Sequence, residues 1–82
     1  MNKIELMMYS QPNCGLCEEA KLQLELAKED VSFTYRTVNI TEDDLLLERF
    51  QLRVPVIMYH DEIIQEGIID FVTVTEALAK YL

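Results

Sequence analysis

The segment Ile4-Glu5-Leu6-Met7-Met8-Tyr9 is short, almost continuously apolar, and halted by Ser10-Gln11-Pro12-Asn13. Just beyond it the spacing changes to that of a helix. From Gly15 to Glu29, Leu16, Cys17, Ala20, Leu24 and Ala27 fall on one stripe, with Glu18, Glu19, Lys21 and Glu25 largely off it. A run that does not alternate is what a strand covered on both faces requires. The two signals together read as a central strand passing into a helix that opens at the cysteines. Leu22 and Leu26 project nearly opposite the stripe and are expected to be ordinary surface leucines.

The remaining chain supplies partners for that strand. Phe33, Tyr35 and Thr37 alternate with Thr34, Arg36 and Val38, which predicts a second strand after a turn at Glu29-Asp30. Thr41 with Asp44 three residues later, ahead of Leu45-Leu46-Leu47, predicts a capping box and a short helix ending near Gln51. Val54 to Tyr59 is again rich in β-formers, and Asp61-Glu62 is expected to turn it into Ile63-Ile64-Gln65 as a hairpin. Asp70 then caps a last helix reaching Leu82, with Phe71, Val74, Leu78 and Leu82 at roughly helical spacing, although Val72-Thr73-Val74-Thr75 has strand propensity. The order is βαβ, a short helix, then ββα. A parallel βαβ unit needs a crossover and a terminal hairpin is antiparallel, so the expected class is α/β: a four-stranded mixed sheet with helices on both faces.

Composition limits what such a domain does. Fifteen Asp and Glu against seven Lys and Arg leave a net charge of −8 over 82 residues, with no basic cluster to meet a phosphate backbone or an anionic membrane. Half the residues are apolar and mean hydropathy is +0.04, which suits one closed core spanning residues 1–82 rather than an acidic disordered tail. No linker or repeat divides the chain, and its only glycines and prolines are Gly15, Gly67, Pro12 and Pro55. The longest apolar runs, Leu6 to Tyr9 and Val56 to Tyr59, are far short of the roughly 20 residues of a membrane span. The start, Met1-Asn2-Lys3-Ile4-Glu5, lacks the pattern of a secretory signal, so a cytoplasmic location is expected, and the chain is separately expected to act as a monomer.

The two cysteines, Cys14 and Cys17, stand one helical turn apart where strand becomes helix. They are too few for a disulfide framework or, even with distant His60, for a closed zinc site, and no metal site is expected. A helix N-terminus offers unpaired N–H groups and a partial positive charge that stabilise a thiolate. Cys14 is therefore the expected nucleophile, and Cys17, inside the helix on its buried stripe, the resolving thiol. Gly15 lets backbone approach a substrate with no Cβ in the way. Elsewhere the signals are plainer: Glu18 and Glu19 are first-turn carboxylates, His60 a loop residue, Met7 and Met8 core, and Glu42-Asp43-Asp44 a solvated helix start.

Tyr9-Ser10-Gln11-Pro12-Asn13-Cys14-Gly15-Leu16-Cys17 resembles the strand end and active-site segment of the glutaredoxin-like branch of the thioredoxin superfamily. Val54-Pro55 is similar to that family's cis-proline element, and Gly67 with Asp70 to its Gly-x-x-Asp turn before the last helix. The resemblance covers nearly the whole chain and implies a thioredoxin-like, glutaredoxin-type fold. It also implies a cis Val54-Pro55 peptide beside the cysteines, with the Val54 backbone pairing to an extended substrate or to glutathione. Substrate-contacting positions on this view are Tyr9, Gln11, Gly15, Leu16, Val54, Pro55, Gly67 and Asp70. Glutaredoxins usually carry Pro-Tyr between the cysteines, Lys three residues before the first, Thr before Val-Pro, and two consecutive glycines near the last helix. Here those places hold Gly15-Leu16, Gln11, Arg53 and Glu66-Gly67. A missing cation at Gln11 and an added anion at Glu66 are expected to weaken glutathione binding, with Arg53 offsetting part of the loss.

The function expected from these residues is reduction of protein or low-molecular-weight disulfides, with no bound cofactor and with glutathione or an external dithiol reductase as electron donor. Two other uses of the same residues stay open at this level: an iron–sulfur carrier held through Cys14, and a redox-inert adaptor that keeps the fold for protein contacts.

Overall fold

The computed structural model describes residues 3–82. Four strands, β1 (Glu5–Ser10), β2 (Thr34–Asn39), β3 (Val56–Tyr59) and β4 (Glu62–Glu66), alternate with three helices, α1 (Gly15–Ala27), α2 (Asp44–Phe50) and α3 (Phe71–Ala79). They form one mixed sheet in the order β2-β1-β3-β4. β1 runs parallel to β2, with Leu6 opposite Tyr35 and Ser10 opposite Asn39, and antiparallel to β3, with Met8 opposite Ile57. β3 and β4 form the antiparallel hairpin, with Val56 opposite Glu66 and an irregularity between Ile57 and Met58. The apolar run at the start of the chain is thus the inner strand that its composition demands.

Alternation along β1 divides the interior in two. Ile4, Leu6 and Met8 join Cys17, Ala20, Leu24 and Ala27 of α1 and Val74 and Leu78 of α3 in the larger core. Tyr9 looks to the other side, against Phe50 of α2, Val56 and Met58. That second face is covered less completely, because α2 is only seven residues long, and Met7 stays half-buried. Leu22 and Leu26 lie on the outer side of α1, 60% and 43% exposed.

Four local expectations are corrected. Thr41 does not cap α2: it lies in a 3-10 turn over Ile40–Glu42 whose cap is Asn39, while the Asp43 carboxylate accepts from the N–H groups of Leu45 and Leu46 at 2.9 and 3.2 Å. An aspartate two residues closer to the helix satisfies those donors directly, which the more distant threonine cannot do. The hairpin turn is His60-Asp61 rather than Asp61-Glu62, since Glu62 pairs with Tyr59 and His60 takes the left-handed conformation at φ 55°. α3 stops at Ala79, not Leu82, and α1 at Ala27, not Glu29. Replacing Asp43 by alanine is expected to cost about 0.5–2 kcal/mol of unfolding free energy. Thr41→Ala should cost less, because Thr41 bonds only within its own turn; urea titration of the two variants distinguishes them.

Candidate active site

The register of the sheet gathers the singled-out segments at one end. Tyr9, near the end of β1, is opposite Val56, which is opposite Glu66 at the end of β4. The chain leaving β1 toward the cysteines, the chain entering β3 through Arg53-Val54-Pro55, and the chain leaving β4 at Gly67 therefore emerge side by side. A hydrogen bond joins two of them, the Gly67 N–H donating to the Pro55 carbonyl at 2.8 Å. The Val54-Pro55 peptide is cis, and Pro55 is buried.

Asn13 turns the chain into the helix by taking the left-handed conformation, φ 58°, which asparagine tolerates better than most residues. Cys14 then occupies the extended N-cap position of α1 with its sulfur in the place of a capping oxygen, accepting from the Cys17 N–H at 3.1 Å. Cys14 and Cys17 are joined as a disulfide, their Cα atoms 5.2 Å apart. The pair is asymmetric in access: Cys14 is half-buried at the surface, whereas Cys17 is 2% exposed and part of the core. Between them Leu16 is about half exposed, and a Cβ added to Gly15 would meet nothing within 4 Å, so the chain itself does not require glycine there.

Other expected site residues divide by what holds them. Val54 packs on both cores, and Gln11 is half-buried in the loop after β1. Tyr9 lies on the α2 side of the sheet and stacks on Phe50, ring centroids 4.8 Å apart. Gly67 needs its freedom, since it sits at φ 77°. Asp70 works as the cap of α3, accepting from the N–H of Thr73 at 2.9 Å, from the Thr73 hydroxyl and from the Gln65 amide. Two glutamines invisible as signals in the sequence complete this corner: Gln65 accepts from the Asp70 N–H and Gln23 of α1 accepts from the Phe71 N–H, both at 2.9 Å. Their roles depend on strand and helix placement, so residue type alone does not reveal them.

The electrostatics differ from the sequence expectation in one respect. Arg53 and Glu66 bind each other, Nε to Oε1 at 3.2 Å and Nη2 to Oε2 at 2.5 Å. Whatever Arg53 offers against the added carboxylate is directed at that carboxylate. Lys21 likewise pairs with Glu18 at 3.1 Å beside the first turn of α1. The hydrogen bonds from Arg53 hold the Glu66 carboxyl below its ordinary range, and the Thr73 N–H, followed by Gln65 and the Thr73 hydroxyl, does the same for Asp70. A depressed folded-state pKa contributes stability above the unfolded value of about 4 and loses it as pH falls through the folded value. The urea midpoint should hold from neutrality to about pH 5 and decline below about pH 4. Asp70→Asn, which still caps but does not titrate there, should make the decline shallower.

Among the described residues no group of three or more His, Cys, Asp or Glu side chains is gathered as metal ligands, and no helix is long and apolar enough to cross a membrane. The solution structure of protein Ne2328 from Nitrosomonas europaea superposes with a TM-score of 0.81 at 24% identity, over 100% of this chain and 94% of that one. A structural-genomics target protein from X. campestris gives 0.76 at 26% identity, over 92% and 96%. Thioredoxin-2 of the malaria parasite gives 0.69 at 10% identity, over 96% of this chain and 84% of its own. No curated protein matches the chain. The fold is thioredoxin-like, a four-stranded mixed sheet with three helices. Residues 5–82 match the family described as Glutaredoxin-like domain (DUF836), and the chain belongs to that family.

Proposed function

We propose that this protein is a thiol–disulfide oxidoreductase that reduces protein or low-molecular-weight disulfides through Cys14 and Cys17. The observation that carries the reading is the paired, unequal setting of the cysteines: one sulfur at a helix N-cap receiving an N–H, the other buried one turn inside. An N-terminal helix position favours the charged form of the outer thiol, which is the attacking species. In the dithiol state the Cys14 thiolate forms a bond to one substrate sulfur and the other sulfur leaves as a thiolate. Cys17 then gives up its proton to solvent and attacks Cys14, the second substrate thiolate leaves, and the protein is left as the disulfide. Two electrons have passed to the substrate, and an external thiol or dithiol returns them by the same exchange in reverse.

Val54, Leu16 and the Gly67 turn supply the surface on which an extended substrate lies, with the buried Pro55 fixing the Val54 backbone beneath it and the open space at Gly15 receiving the substrate backbone. No prosthetic group takes part, and the setting is a reducing, cytoplasmic one in which the protein acts as a monomer. The test is pH-dependent alkylation of single-cysteine variants. Cys14 is expected to react faster than Cys17 and to titrate below the free-thiol value of about 8.5. A Cys14 at or above that value, or a faster Cys17, removes the assignment.

A further inference from the structure

Arg53 immediately precedes Val54 and Pro55, and Glu66 immediately precedes Gly67, whose N–H is bonded to the Pro55 carbonyl. The two charges thus flank the same loop from adjacent strands of the hairpin. Their contact is two-point, guanidinium fork to carboxylate. The Arg53 guanidinium also lies 5.6 Å from the Phe50 ring centroid, and Phe50 is fully buried and stacked on Tyr9. Arg53 is therefore engaged by an anion and beside an aromatic ring, while the pair as a whole remains open to solvent, with side chains 38% and 40% exposed. A substrate reaching the disulfide past Val54-Pro55 meets a cation and an anion that already neutralise each other, inside the field of a chain with net charge −8.

Resting on the redox reading above, we propose that the Arg53–Glu66 pair sets the charge selectivity of the Cys14–Cys17 site. With the pair closed, uncharged and cationic disulfides are reduced in preference to anionic ones such as glutathione disulfide, and Glu66 is the residue that keeps Arg53 from receiving an anionic substrate. Arg53 and Glu66 are specificity-determining residues on this account, and neither takes part in the sulfur exchange. Removing the carboxylate leaves an unpaired guanidinium beside the loop. Removing the guanidinium leaves an unpaired carboxylate.

The experiment measures, at low ionic strength, the rates at which the reduced protein reacts with glutathione disulfide (anionic), hydroxyethyl disulfide (uncharged) and cystamine (cationic), using the uncharged compound as the internal reference. Relative to it, Glu66→Gln is expected to raise the glutathione disulfide rate about fourfold, the effect of one unit charge on a doubly charged ligand at roughly 10 Å in water, and to lower the cystamine rate by a similar factor. Arg53→Gln should shift both ratios the opposite way. The double variant should return close to the unaltered protein, and added salt should compress all the differences. Circular dichroism checks that each variant is folded. Ratios that stay fixed in both single variants, while hydroxyethyl disulfide is still reduced, overturn the selectivity role and leave the redox reading standing. An unaltered protein that does not reduce hydroxyethyl disulfide overturns both.

Discussion

Cys14→Ser is expected to bring disulfide reduction down to the uncatalysed background, a loss of at least about a thousandfold, without unfolding the protein. Serine is a good N-cap, and its oxygen takes over the Cys17 N–H that the Cys14 sulfur now receives, so α1 keeps its start. Cys17 should behave differently. A Cys17→Ala variant retains the outer nucleophile but lacks the thiol that releases product, so it reacts once and stays joined to its substrate as a mixed disulfide. Alanine is the better probe here, because Cys17 is buried at 2% exposure and a serine hydroxyl without a partner in that core costs about 1–3 kcal/mol. Single-turnover kinetics with mass spectrometry of the trapped adduct reads both results. Full turnover by the Cys17→Ala protein with no adduct sinks the two-cysteine mechanism in favour of a one-thiol one.

Phe50→Ala is expected to have the largest effect on stability. Phe50 has no exposed surface, stacks on Tyr9, and is the fully buried anchor that α2 contributes to the second core. Truncating such a side chain costs about 3–5 kcal/mol, against a total of about 5–15 kcal/mol for a domain and the lower end of that for a small one. The variant should be partly unfolded at moderate temperature. Phe50→Leu, which refills much of the volume, should fold with a smaller drop in urea midpoint. A Phe50→Ala protein with an unchanged urea midpoint contradicts the packing role assigned to this residue.

The departures from the sequence reading have two causes, one local and one that lies in strand pairing. Thr41 fits the usual pattern of a cap, a Ser or Thr followed three residues later by an acid, yet Asp43 lies nearer the helix and takes its N–H groups. The shift of the hairpin turn from Asp61-Glu62 to His60-Asp61 depends on which residue of β4 pairs with Tyr59, and pairing is a property of two strands at once. Arg53 and Glu66 stand in the sequence as two separate charges; that they bind each other follows from the hairpin bringing residues 13 apart to the same place.

Local chemistry and periodicity determined a great deal by themselves: the existence and inner place of the first strand, the helix opening at Cys14, the order of elements, the mixed sheet, the asymmetry of the two cysteines, and Asp70 as the cap of the last helix. Each rests on interactions within a few residues or on the alternation of buried faces, which a chain carries in its own order. Tertiary structure alone decided what meets what across the sheet. It assigned Gln65 and Gln23 to the start of α3, Phe50 to Tyr9, Gly67 to Pro55 and Glu66 to Arg53. A hydrogen bond or ion pair between distant residues forms only where strand register and helix packing place donor and acceptor within about 3 Å, and no spacing along the chain encodes that distance.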